Sequence, residues 1–199
     1  MKILVAGATG QTGVRLVEEL CARGHDPVAL VRSSSDTSEL PENIETRLGD
    51  LTDLDDDVTE GCEVVIFAAG SGGGTSKEMT DKIDRDGAIR LIELAEKGDV
   101  RRFVMLSSVG AGDPDSDSEL AHYLKAKHAA DERLKESDLE SVILRPVSLT
   151  EAGPTGKVQL GEDVDPNGEA ARGDVAVLLA DAAEQKEWAG RVTLMETAG

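Results

Sequence analysis

Tyr123 and Lys127 stand four residues apart in the run Tyr123-Leu124-Lys125-Ala126-Lys127. That spacing puts two side chains on one face of a helix, one turn apart. A lysine ammonium beside a phenol favours the phenolate. A tyrosine so placed can give or take a proton at a carbonyl or hydroxyl oxygen while a hydride moves on the adjoining carbon. The run Ser107-Ser108-Val109-Gly110 closes an apolar stretch earlier in the chain, so Ser107 or Ser108 can hold the substrate oxygen there. Lys127 can also bond a cofactor ribose, and the hydride itself is cofactor chemistry. The same spacing suits a core-facing tyrosine and a solvated lysine on an amphipathic helix. The chemical reading therefore needs a nucleotide site nearby.

The head of the chain offers one. Lys2-Ile3-Leu4-Val5-Ala6 is a short apolar run, and Val14-Arg15-Leu16-Val17-Glu18-Glu19-Leu20 carries apolar residues at helical spacing. Between them lies Gly7-Ala8-Thr9-Gly10-Gln11-Thr12-Gly13. A strand that turns through glycines into a helix N-terminus presents backbone N–H groups and the positive end of the helix dipole to an anion. Gly7 permits the turn, Gly10 lets a pyrophosphate approach, and Gly13 lets helix and strand pack closely. The spacing G-x-x-G-x-x-G differs from the usual dinucleotide fingerprint.

The elements that must position these groups follow in order. Residues 27–31 read as a second strand ending at Arg32, with no acid before Asp36. An acid at this position would bond the NAD ribose, whereas an arginine accommodates the 2′-phosphate of NADP. NADP(H) is therefore the favoured cofactor and NAD(H) the alternative. Residues 44–48 read as a strand closed by Gly49-Asp50-Leu51. Asp50 either accepts the adenine amino group, with Leu51 along the ring, or serves as an entry residue for a helix over 54–59. Residues 64–70 form a continuous apolar run, as in a strand buried on both faces. Its end, Ala68-Ala69-Gly70, is small enough for a cofactor to cross the backbone. Residues 71–75 are either a linker or a mobile rim of the site.

A helix is expected over 83–97, a strand over 102–106, a polar loop over 111–118 and a helix over 119–137. A strand at 141–144, a short strand within 155–160, a loop at 162–169, a helix at 172–184 and a last strand at 191–196 complete the chain. Strands alternating with helices predict an α/β fold of Rossmann type: a doubly wound parallel sheet with helices on both faces. No internal repeat or second domain is visible, so residues 1–199 read as one domain, with a short substrate-side segment over roughly 146–170.

Composition narrows the partners. With 40 acidic and 21 basic residues the net charge is −19, which argues against nucleic acid and anionic membranes. Acid spread along the whole chain suits either a high-salt habitat, where screening relieves self-repulsion, or a merely acidic, soluble protein. The absence of a long apolar run or a signal-type N-terminus points to the cytoplasm. Cys21 and Cys62 form no C-x-x-C pair, and His25, His122 and His128 have no ligand-like neighbours, so no metal site is expected.

Taken together, the glycine loop, Gly49-Asp50-Leu51, Arg102-Phe103-Val104 with Ser107-Ser108-Val109-Gly110, the Tyr123–Lys127 run and Arg145-Pro146 with Leu149-Thr150 resemble the atypical short-chain dehydrogenase/reductases. The likeness is to the small NAD(P)-binding group that includes flavin/biliverdin reductases and isoflavone-reductase-like proteins, and it spans essentially the whole chain. It implies that Thr9, Gly10, Gln11 and Thr12 wrap the pyrophosphate and that Arg32 meets the 2′-phosphate. It implies further that Asp50 takes the adenine role, that Ala68 and Ala69 line the adenosine ribose, and that Pro146 and Val147 flank the nicotinamide carboxamide. Ser108 matches the serine near the nicotinamide. The implied activity is hydride transfer to a small carbonyl, quinone or flavin-like acceptor, by a monomer or homodimer. Val109 stands where sugar epimerases commonly carry a catalytic hydroxyl, and the tail after Arg145 is short, so an NAD-dependent sugar-nucleotide epimerase or dehydratase ranks lower. This group often lacks a complete catalytic set, which makes a non-catalytic NAD(P) sensor the principal alternative.

Overall fold

The structure is a computed structural model, and it describes residues 1–71, 75–114 and 119–198. Ten strands and five α-helices occur among those residues. In chain order they are β1 (Lys2–Ala6), α1 (Gln11–Ala22), β2 (Asp26–Val31), β3 (Glu45–Leu48), β4 (Val64–Phe67) and α2 (Lys77–Thr80). A π-helical turn (Asp81–Gly87) joins α2 to α3 (Ala88–Lys97). Then come β5 (Arg102–Leu106), α4 (Ala121–Lys135), β6 (Glu140–Pro146), β7 (Ser148–Thr150), β8 (Val158–Leu160) and β9 (Glu169–Ala171). The chain ends with α5 (Arg172–Glu184) and β10 (Val192–Thr197).

Eight strands form one sheet in the order β3-β2-β1-β4-β5-β6-β10-β8. Every neighbouring pair is parallel except β10 and β8. Strand periodicity divides the core in two, because successive side chains point to opposite faces. Ile3 and Val5 join Leu16, Val17 and Leu20 of α1 and Val175 and Leu179 of α5. Leu4 and Ala6 join Leu91, Ile92 and Ala95 of α3 and Ala130 and Leu134 of α4. Helices thus cover both faces, and β1 is buried from Ile3 to Ala6.

Chain order reverses at β1: β2 and β3 lie on one side of it and β4 onwards on the other. In open α/β sheets such a switch point opens a crevice at the carboxyl ends of the strands. The glycine loop leaves β1 into that crevice. Helix α1 stops where Gly24 adopts φ +77° and the amide of His25 bonds the carbonyl of Leu20. Glycine fits this left-handed position because no Cβ opposes it.

Several boundaries differ from expectation. No helix forms over 54–59; the segment is a chain of turns, and three consecutive aspartates, Asp55 to Asp57, are poor helix formers. The helix expected from 83 begins six residues earlier, capped by Ser76, whose hydroxyl accepts from the amide of Met79. It widens into the π turn before resuming. The strand expected within 155–160 is shorter and antiparallel to β10. The small parallel pair β7–β9 carries no clear periodicity in the sequence. Of the expected rim and polar loop, residues 72–74 and 115–118 lie outside the described residues.

Candidate functional site

The glycine loop is built by close packing. Gly7 has φ +84°, and a Cβ there would lie 2.6 Å from the amide nitrogen of Ala69. A Cβ on Gly13 would lie 2.0 Å from the carbonyl oxygen of Gly7. These two glycines let β1, β4 and the start of α1 approach one another. Gly10 is the N-cap of α1 and supplies no side-chain cap, and no acid occupies the first turn. The amides of Gln11, Thr12 and Gly13 therefore have no intrahelical acceptor, and they face the crevice with the positive end of the dipole.

The crevice widens into a cleft of about 1700 Å³. That exceeds the usual range for a single small ligand, roughly 300–1,000 Å³, and leaves room for a dinucleotide and an acceptor together. Gly7, Thr9, Gly10, Gln11, Thr12, Arg32, Asp50, Leu51, Ala68, Ala69, Gly70, Ser107, Tyr123 and Lys127 all line it. Three expected residues do not. Ser108 is half-buried beside the cleft, with its carbonyl accepting from Ala111. Pro146 and Val147 are buried, and Val147 packs in the α1/α5 core.

At the adenosine end, Asp50 makes an Asx turn. Its Oδ1 accepts from the Thr52 amide at 2.9 Å and the Thr52 hydroxyl at 2.8 Å. Those bonds, helped by the Arg32 charge, hold its carboxyl below the usual aspartate value. Oδ2 stays free of both bonds and can accept an amino group. The backbone of Arg32 is fixed by Ser35, whose hydroxyl accepts from the Arg32 amide at 3.0 Å. Among the described residues the Arg32 guanidinium makes no ion pair, although the protein is strongly acidic.

The other end holds a buried polar cluster. Lys127 is 2% exposed and Asp84, on the π turn, is fully buried. The Lys127 ammonium lies 3.1 Å from Asp84 Oδ1 and donates to the carbonyls of Ala69 and Leu106, each at 3.3 Å. The other Asp84 oxygen accepts from the Ser71 amide at 3.0 Å. Burial opposes the ammonium, but Tyr123, Asp84 and Asp131 outweigh it, and the lysine pKa lies above its ordinary value. The ammonium is 5.8 Å from the centre of the Tyr123 ring. Two carbonyls thus accept from the ammonium, and the Asp84 carboxylate pairs with its charge.

Beneath Ser107 lies Asp131, also fully buried. Asp131 Oδ2 accepts from the Ser107 hydroxyl at 2.8 Å and from Arg145 Nε and Nη2 at 3.0 and 2.8 Å. Burial pushes the Asp131 carboxyl up, and Arg145 and Ser107 only partly counter it. With its proton directed at Asp131, Ser107 presents lone pairs to the cleft. Sequence reading missed Asp84 and Asp131. Asp131 falls four residues after Lys127 on the same helix, a signal that was available; Asp84 gave none, because the π turn alone aims it inward.

The sequence profile of the NAD(P)H-binding family matches residues 7–186. The chain belongs to that family. It is 34% identical to YhfK, an uncharacterised sugar epimerase of Bacillus subtilis, over 96% of this chain and 92% of that protein. A solved Bacillus halodurans protein, assigned provisionally to the NAD-dependent epimerase/dehydratases, superposes with a TM-score of 0.92 at 36% identity, covering 100% and 94% of the two chains. The oxidoreductase YlbE of Lactococcus lactis superposes at 0.87 with 28% identity, over 100% and 91%. This NAD(P)H-binding chain thus has the Rossmann architecture and atypical short-chain dehydrogenase/reductase likeness expected from its motifs. The short tail is shared with relatives that carry an epimerase name, so tail length does not separate the two activities. No helix among the described residues is long and apolar enough to cross a membrane.

Proposed function

We propose that this chain is an NADP(H)-dependent reductase of a small carbonyl, quinone or flavin-like acceptor. The observation that carries the reading is one cleft lined by the glycine loop, by Arg32 and by Tyr123. NADPH would supply the hydride, which carries its electron pair to the acceptor carbon. For a carbonyl acceptor, the Tyr123 hydroxyl gives a proton to the carbonyl oxygen, so that C=O becomes CH–OH. Ser107 accepts a hydrogen bond from the hydroxyl so formed, because its own proton is turned toward Asp131. Arg32 pairs with the 2′-phosphate, and the amides of residues 11–13 meet the pyrophosphate.

A second reading is favoured by the tie between Lys127 and Asp84. An ammonium held by a buried carboxylate and two backbone carbonyls serves the scaffold, which suits a sensor that binds the dinucleotide without turnover. The relatives' epimerase names support a third, in which a sugar nucleotide fills the acceptor end. The deciding experiment compares wild type with Tyr123→Phe. NADPH and NADH are first titrated at low and high salt; NADPH oxidation is then followed with quinones, flavins and small carbonyls, and UDP-sugars are tested for epimerisation. The reductase reading expects turnover in wild type and a fall of roughly 100-fold or more in Tyr123→Phe. Tight binding with equal, negligible rates in both proteins favours the sensor.

A further inference from the structure

We infer that Arg172 is a cofactor-binding residue whose guanidinium pairs with the dinucleotide pyrophosphate across from the α1 N-terminus. The inference rests on the reading that the cleft holds NAD(P). It concerns a residue 160 positions from the loop it serves.

Arg172 opens α5 and lines the cleft. Its Nη1 donates to the hydroxyl oxygen of Thr12 at 3.0 Å, and its Nε donates to Glu151 Oε1 at 2.9 Å. A guanidinium has five N–H donors in a fixed fork, so three remain after those two bonds. No other acceptor for them occurs among the described residues. Thr12 is buried at 4% exposure in the first turn of α1, and by accepting from Arg172 it keeps its own proton to donate.

The position is pre-set rather than adaptable. The Gly173 amide bonds the carbonyl of Ala152 at 3.1 Å, and a Cβ on Gly173 would lie 2.1 Å from the nitrogen of Pro154. The first turn of α5 is therefore locked onto residues 152–154. Glu151 also holds Arg15, which in turn donates to the carbonyl of Gln11. Arg172 thus stands over the glycine loop without the entropy loss of a free surface arginine.

Charge makes the role necessary. A dinucleotide diphosphate is an anion, and this protein carries −19. The loop contributes backbone dipoles but no cation. Arg15 is turned to Gln11 and Glu151, and Lys127 to Asp84. Arg32 serves the far end of the adenosine. Among the described cations that line the cleft, Arg172 is the one bonded to a side chain of the loop, and arginine matches phosphate oxygens two at a time.

The experiment measures ADP-ribose, NADH and NADPH by calorimetry, and adenosine by NMR line shifts, on wild type, Arg172→Ala and Arg172→Lys. The expected result is a loss of roughly tenfold or more, of equal size for ADP-ribose, NADH and NADPH, with adenosine binding unchanged. Arg172→Lys should recover part of the loss, because lysine keeps the charge without the fork. If Arg172→Ala does not fold, the ratio of ADP-ribose to adenosine affinity in Arg172→Lys decides in the same way. An unchanged ratio overturns the inference, as does an equal loss for adenosine, which would mark Arg172 as acting through the fold. Wild type that binds no dinucleotide would overturn the cofactor reading itself, a failure visible before any variant is made.

Discussion

Replacing Asp84 by Asn tests the buried ion pair at the heart of the cleft. Asparagine keeps the volume and can still accept the Ser71 amide, but it leaves the Lys127 ammonium without its counter-charge. At the observed 3.1 Å, the pair attraction is about 5 kcal/mol at an effective dielectric of 20. Mutational losses of one partner of a buried pair run to about 3–5 kcal/mol. A ceiling applies, because the lysine can release its proton; at pH 7 that costs about 5 kcal/mol from an ordinary value of 10.5. Asp84→Asn is therefore expected to lose about 3–5 kcal/mol in urea denaturation, or roughly 10 °C in melting temperature. Lys127 in the variant is driven toward the neutral form, so the unfolded chain binds more protons than the folded one. Stability should then rise with pH between 7 and 9, by up to about 1.4 kcal/mol per unit relative to wild type. The double variant Asp84→Asn/Lys127→Met removes the stranded charge and should recover at least about 1.5 kcal/mol of the loss. A single variant within about 1 kcal/mol of wild type, or a double no more stable than the single, would refute the reasoning.

Arg32→Ala should weaken NADPH binding about tenfold or more and leave NADH unchanged, since only the former carries a 2′-phosphate; parallel titrations read the difference, and an equal loss would show that Arg32 is not the selector. Gly13→Ala drives a Cβ to 2.0 Å from backbone oxygen, so α1 must lift from β1. Loss of both dinucleotides and of about 3 kcal/mol or more is expected, and an alanine variant with wild-type binding would remove the packing argument. Asp174 takes four donors, the amides of Thr155 and Gly156 and the hydroxyls of Thr155 and Thr197, at 2.8 to 3.0 Å. Burial opposes its charge but these bonds prevail, and its pKa lies below 3.8. Its contribution is present above that value and lost as pH falls through the depressed one; Asp174→Ala should cost about 3 kcal/mol at pH 7 and progressively less in acid. Asp131 is raised from the same 3.8, so the folded protein holds a proton the unfolded chain has released, and stability falls as pH climbs above 3.8. Asp131→Asn should flatten that slope in pH-dependent urea melts.

Much of this was legible because parallel strands are written in continuous apolar runs. Arg102–Leu106 and Arg172–Glu184 were bounded to the residue, since Phe103–Leu106 and Val175–Ala180 are unbroken apolar runs with polar residues at their flanks. The glycine loop was legible for a related reason: every element of the motif is consecutive. The misses have a different origin. Asp84 looks like any acid in a helix, and only the wide turn over Asp81–Gly87 carries it under Lys127. Ser107 and Ser108 are indistinguishable in sequence; strand register puts Ser107 on the cleft, where its amide bonds Leu144, and leaves Ser108 beside it.

The cations show where sequence reading stops. Lys82, Arg90, Lys127 and Arg172 all line the cleft, and each is paired with an acid, respectively Glu78, Asp56, Asp84 and Glu151. Arg32 and Lys77 line it too and make no ion pair among the described residues. An unpaired cation at the end of a strand announces itself in sequence, because its function requires only its own position. A paired one draws its function from a partner that the fold supplies, and for Lys127 and Arg172 those partners lie 43 and 21 residues away. The pairing also has a physical consequence. A cleft that gathered four uncompensated cations would repel them from one another whenever the dinucleotide departed. Acids that hold each cation at its station keep the empty cleft stable, at the cost of weakening what each cation offers the phosphates. On that balance the unpaired Arg32 should discriminate between cofactors more sharply than any paired cation, and Arg172, which keeps three free donors beside Glu151, should bind without discriminating.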